Sequence, residues 1–189
     1  MTKRILLAAV LGTVALFFWN AVANTVFYLE PRLEMGRVAD EPTVYDVVRR
    51  NVTEPGGYTL NPPLTAAGEF PRGEPVFGLH YSGFGHEAAG TLMLVQVLLA
   101  FGSTLLAVLL ASMTSERVRS SFTGRFLFFA GVGLLVAVIG DLPRFGIGGL
   151  PGGFALLAAA STFGSWLLAG AVMARTLGAR PGERQETGG

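Results

Sequence analysis

Only 14% of the 189 residues are charged and 51% are hydrophobic, whereas a soluble domain carries about 25% charge. A formal net charge of +1 leaves no basic field to hold nucleic acid. The chain has no cysteine, which excludes disulfides, thiolate catalysis, Cys-ligated zinc and iron–sulfur clusters.

In chain order, the first element is an apolar run from Ile5 to Leu29, so residues 1–29 are expected to form transmembrane helix 1. About 20 apolar residues at 1.5 Å rise cross the hydrocarbon of a bilayer. Ala21-Val22-Ala23 after a charged start also fits a small-residue signal-peptidase site. Apolar character continues through Val26, Phe27, Tyr28 and Leu29, which favours an uncleaved anchor over cleavage after Ala23.

Residues 30–90 form an extramembrane segment that is expected to be partly ordered. Asp40-Glu41-Pro42 is a helix start, with acids beside the N-terminal dipole and Pro in the first turn. Val44, Val47, Val48 and Val52 then put an apolar stripe on one face of a short helix near 43–52, with Val44, Val47 and Val48 expected to be buried. Pro55-Gly56-Gly57 stops it, and Tyr58-Thr59-Leu60 reads as a short strand. From Asn61 to Gly90 the chain is rich in Pro and Gly and interspersed with Phe70, Phe77, Leu79, Tyr81 and Phe84. That composition reads as short strands or an extended loop over the helix ends. A stretch of this length is marginal as an independent domain, so it is expected to lean on the bundle or on a partner.

Three further apolar segments follow, at 91–113, 126–142 and 153–174. The third of the four segments falls a little short of a full span. Residues 175–189 are expected to form a disordered cytoplasmic tail, its last stretch Arg180–Gly189 being polar and Gly-rich. The fold class is therefore an all-α membrane protein: an antiparallel four-helix transmembrane bundle with a small, partly ordered extracytoplasmic segment. The N-terminus, the 114–125 link and the C-terminus together carry eight basic residues against three acids, while the long link carries five arginines against nine acids. By the positive-inside rule both termini lie in the cytoplasm and the long link outside.

The apolar start with an internal Trp, the acidic-start external helix, "GGYTLNPP" and "GDLPRFGIGGLPGGFAL" together resemble a group of bacterial inner-membrane proteins of uncharacterised function. The resemblance covers most of the chain through loose motifs, and Asn61 stands between Leu60 and Pro62 where the group often has Pro directly. It implies the four spans and an inner-membrane, multi-pass location, and it implies no activity.

Small residues recur at helical spacing: Ser103, Ala107 and Ala111; Ala130, Gly133, Ala137 and Gly140; Ser161, Ser165 and Ala169. Such patterns let membrane helices approach closely, either within the bundle or at an oligomer seam. The few polar residues near the spans lie toward the outside. Asn20, Asn24, Glu87, Gln96 and Asp141 form a candidate outer polar pocket, with Asn20 and Gln96 expected to face the bundle interior. The competing reading is interhelical hydrogen bonding plus an interfacial Asp141–Arg144 pair. His80 and His86-Glu87 match no metal-binding spacing, and a haem would need a His inside the spans. No metal or other cofactor is expected. Trp19, Trp166, Phe17, Phe18, Phe126, Phe128 and Phe129 read as lipid-facing or belt aromatics. Gly146-Ile147-Gly148-Gly149 is a turn rather than a phosphate loop, and Asn51-Val52-Thr53 fits a glycosylation pattern that matters only in a eukaryotic secretory route.

Three functions rank in order. The first is a non-enzymatic envelope or partner-binding protein. The second is a small transporter or channel subunit using the outer polar pocket. The third is a membrane enzyme, for which no nucleophile–base pair stands out. The expected partners are the lipid bilayer and a second copy or another membrane or envelope protein, with no nucleic acid.

Overall fold

A computed structural model describes residues 2–28 and 36–178. Of the tail expected to be disordered at 175–189, residues 175–178 instead continue the last helix; residues 179–189, the first span's limit at Leu29 and the first residues of the long link lie outside the described residues. Four helices are long and apolar enough to cross a membrane: α1 (Thr2–Thr25), α3 (Ala89–Ser112), α5 (Phe122–Gly140) and α6 (Gly152–Gly178). The chain is an integral, all-α membrane protein whose helices contact lipid. A short helix α2 (Glu41–Asn51), strands β1 (Gly56–Leu60) and β2 (Phe77–Tyr81), and a single turn of helix α4 (Glu116–Arg119) complete the order. The helices run antiparallel. The start of α1, the end of α6 and the α3–α5 link therefore meet at one end of the bundle, the terminal side; α2 and the β1–β2 hairpin mark the other, the hairpin side.

The third apolar segment is longer than its composition suggests. Ser121 accepts a hydrogen bond from the Gly124 amide at 2.9 Å and starts α5 at Phe122, so Arg125 lies inside the helix. The resulting 19 residues span about 28 Å at 1.5 Å per residue. Arg125 is accommodated because its guanidinium returns to the helix ends, as long basic side chains do at an interface.

Lipid tails are as apolar as leucine, so helices in a bilayer associate through close packing rather than through water exclusion. The helix α6 lies between α5 and α1 and is the most enclosed. Within its most apolar 18-residue stretch it buries 39% of its residues, against 17% for α3. Glycines set these contacts. A Cβ on Gly133 of α5 would fall 2.3 Å from the Trp166 Cβ of α6, and one on Gly170 of α6 would fall 2.8 Å from the Phe129 Cβ of α5. Each aromatic lies over the other helix's glycine. Phe129 is fully buried and Trp166 nearly so, which corrects their reading as lipid-facing aromatics: missing Cβ atoms opposite them make the room. On the other face of α6, Met173 packs over Gly12 of α1.

The helix α3 packs chiefly on α1, and it buries residues only along half its length. Its buried residues, Thr104, Ala107, Val108 and Ala111, all lie toward the terminal side. Thr104 Oγ1 is 2.9 Å from Thr13 Oγ1 and 3.0 Å from the Ala9 carbonyl, and Thr13 Oγ1 donates to the same carbonyl at 2.9 Å. A buried hydroxyl pair thus ties α1 to α3. The sequence explains the asymmetry. Ala107 and Ala111 are small and admit α1 closely, whereas the hairpin-side half reads Leu92, Met93, Leu94, Val95, Leu98 and Leu99, all exposed in this chain.

On the hairpin side, Asp40 caps α2 by accepting from the Thr43 amide at 3.3 Å. The strands pair antiparallel, from Gly56 with Tyr81 to Leu60 with Phe77. The hairpin rests on the α5–α6 link, where a Cβ on Gly78 would fall 1.9 Å from the Gly148 carbonyl oxygen. The valine stripe departs from expectation. Val48 and Val52 are half-buried beside Leu79 and Tyr81, but Val44 and Val47 are exposed. A two-stranded hairpin covers only one side of the helix, so the stripe extends past its edge.

Gly133→Leu should therefore destabilise the bundle by about 1–3 kcal/mol, the usual cost of overpacking. Gly131→Leu, where a Cβ meets nothing within 4 Å, should leave stability unchanged or slightly raised. Unfolding midpoints in mixed detergent–SDS micelles test this pair.

Candidate functional site

The half-length attachment of α3 opens a cleft of about 690 Å³ among α1, α3 and α6 on the hairpin side. Its polar lining is Asn20 from α1, Gln96 and Ser103 from α3, and Ser161, Thr162 and Ser165 from α6. Leu16, Met93, Leu99 and Trp166 supply apolar wall. Asn20 lies about 7 Å along the helix axis from the end of α1, and Gln96 about 10 Å from the start of α3, at 1.5 Å per residue. Both are inside the hydrocarbon half-thickness of about 15 Å.

The hydroxyls are partly used. Ser103 Oγ donates to the Leu99 carbonyl at 2.8 Å and Ser165 Oγ to the Thr162 carbonyl at 2.7 Å. Ser161 Oγ accepts from the Trp19 indole N–H at 3.3 Å, a bond that closes the α1–α6 seam beside the cleft. Asn20 and Gln96 have no hydrogen-bond partner among the described residues, and both are exposed. An amide carries two donors and an acceptor with two lone pairs. In the membrane these groups must be met by water, ligand or another chain. Among the described residues no carboxylate, imidazole or amine lines the cleft, so these residues can bind by hydrogen bonding but offer no acid–base pair.

The expected five-residue pocket is thus divided. Asn20 and Gln96 line the same cleft, but they do not face a closed bundle interior; the bulky hairpin-side half of α3 stands off and leaves them open. Asn24, half-buried one turn farther along α1, is not in the lining. Glu87 belongs to a 3-10 turn, His86–Ala88, and its carboxylate folds back toward Gly85. Asp141 is held at the end of α5, 4.0 Å from the Arg144 guanidinium. Ser161 and Ser165 carry a signal that spacing could have supplied: four residues apart on α6, they present hydroxyls to the face that Asn20 approaches.

A second groove of about 430 Å³ lies between α2 and β2, lined by Tyr45, Val48, Arg49 and Val52 against Leu79, His80 and Tyr81. Among the described residues no three His, Asp or Glu side chains come together as a metal set. The chain matches no protein-family model, no curated protein and no solved structure.

Because neither cleft amide bonds to another described residue, the Asn20→Leu and Gln96→Leu double variant should unfold in detergent within about 1 kcal/mol of the parent, below the sum of two typical interhelical hydrogen bonds. A loss of several kcal/mol would mean that the amides bond within the chain.

Proposed function

We propose that this is a non-enzymatic, partner-binding protein of the bacterial inner membrane, with both termini in the cytoplasm and the hairpin side outside. The observation that carries the reading is the exposed amide pair, Asn20 and Gln96, lining one cleft at membrane depth with no partner among the described residues. A polar group left toward lipid is costly, and a hydrogen-bonding side chain on a neighbouring span removes that cost. The extramembrane segment supports the same reading. Among its described residues, 36–88, none is buried, and Tyr45, Val47, Leu60, Phe70, Phe77 and Phe84 are all exposed. Apolar surface on that scale above a membrane fits a protein contact. The partner has a span with a polar residue near the outer leaflet and an extramembrane part that meets α2 and the hairpin. The orientation follows the charge balance of the links, and the bacterial location follows the sequence resemblance.

The cleft volume favours a second reading, uptake of a small polar ligand, because about 690 Å³ falls within the usual range for ligand pockets.

Photo-crosslinking residues placed at Gln96 and Val47 in living cells should each give the same discrete protein adduct, while one at lipid-facing Leu135 gives none. Adducts only to lipid at all three sites, together with solute flux through liposomes holding the purified protein alone, would favour the ligand reading and overturn the first.

A further inference from the structure

The terminal side of the bundle carries a different site. A cavity of about 420 Å³ lies where the ends of α1, α3, α5 and α6 converge, and three arginines, Arg4, Arg119 and Arg125, line it with Ser112. Two of them are fixed by carbonyls. Arg125 Nε donates to the Ala174 carbonyl at 2.8 Å, and its Nη1 donates to the Arg119 carbonyl. Its guanidinium lies over Gly178, where no Cβ intervenes. Arg119 Nη1 donates to the Ser112 carbonyl at 3.3 Å, and its Nη2 pairs with Glu116 at 2.9 Å. Carbonyls position a guanidinium without neutralising it, so among the described residues Glu116 is the single carboxylate paired with these three cations. Arg4 is half-buried and has no hydrogen-bond or ion-pair partner among the described residues.

Arg4 also lines a neighbouring groove of about 450 Å³ between α1 and α6, walled by Leu7, Leu11 and Val172 with Arg175 at its rim. A cationic cavity at the level of the helix ends therefore adjoins an apolar channel running toward the bilayer centre, and one arginine belongs to both. We propose that this composite site binds an anionic phospholipid, its phosphate between Arg4, Arg119 and Arg125 and one acyl chain along Leu7, Leu11 and Val172. Arginine suits the phosphate because its planar fork meets two oxygens at once. Basic pockets between spans are the membrane form of that recognition. The site lies on the opposite side from the cleft and does not depend on the partner reading.

The test uses the full chain purified in neutral detergent, with native mass spectrometry reading retained lipid. Phosphatidylglycerol should be retained over phosphatidylcholine of the same chains. Arg4→Gln should weaken its retention about fivefold, the effect of one basic residue near a membrane surface, with an unchanged unfolding midpoint because Arg4 bonds to none of the described residues. Leu11→Trp, which fills the apolar groove, should weaken phosphatidylglycerol and leave any binding of inorganic phosphate as it was. Equal retention of the two lipids, or an Arg4→Gln variant that binds as the parent does, would overturn the proposal. Displacement of the lipid by millimolar inorganic phosphate, with retention indifferent to chain length and to Leu11→Trp, would identify a free-anion site instead and overturn the lipid assignment.

Discussion

Close approach at three glycines organises this bundle. In a bilayer no water is released when helices meet, so contact depends on how near two backbones can come. Gly133 and Gly170 admit Trp166 and Phe129 reciprocally, and Gly12 admits Met173. These contacts place α6 between α5 and α1 as a tightly packed row. The helix α3 has no such seat on α6. It hangs from α1 through Ala107, Ala111 and the Thr13–Thr104 hydroxyl pair, all within its terminal-side half.

The two ends of the molecule differ as a result. On the terminal side the helices converge, and Arg125 fastens the start of α5 to the last turn of α6 and to the α3–α5 link. On the hairpin side α3 stands away, and the space it leaves is the cleft that exposes Asn20 and Gln96. On the same side, the hairpin is seated on the α5–α6 link by the Gly78–Gly148 backbone contact, yet α2 and the hairpin bury none of their own residues. The open cleft and the uncovered segment lie on the same side of the bundle, within reach of the single membrane partner proposed above.

Hydropathy made the four spans and the all-α class legible, because a hydrocarbon slab admits few other solutions. Asp40 and the following acid and proline announced α2, and Tyr58-Thr59-Leu60 announced β1. Three features resisted reading for physical reasons. Whether Phe129 faces lipid or core depends on a glycine in another helix, which one strand of sequence does not reveal. The exposure of Val44 and Val47 depends on how far the hairpin reaches. The division of the polar pocket depends on α3 burying residues only in its terminal-side half, where Thr104, Ala107 and Ala111 are small enough for close approach. Asn20 and Gln96 were legible as unusual polar residues in the spans; their openness was not.

The most direct measurement follows the cleft itself. The chain has no cysteine, so a lone Gln96→Cys reports one position without background. Its reactivity toward a water-soluble maleimide can be compared between open native membrane fragments and the purified protein reconstituted in bilayers. If a partner occupies the cleft, the thiol is protected in native membranes and labels readily after purification, while a thiol at Ile147 in the exposed α5–α6 link labels in both. Equal, rapid labelling of Gln96→Cys in both preparations would contradict the account, since the cleft would then stand empty where the protein works.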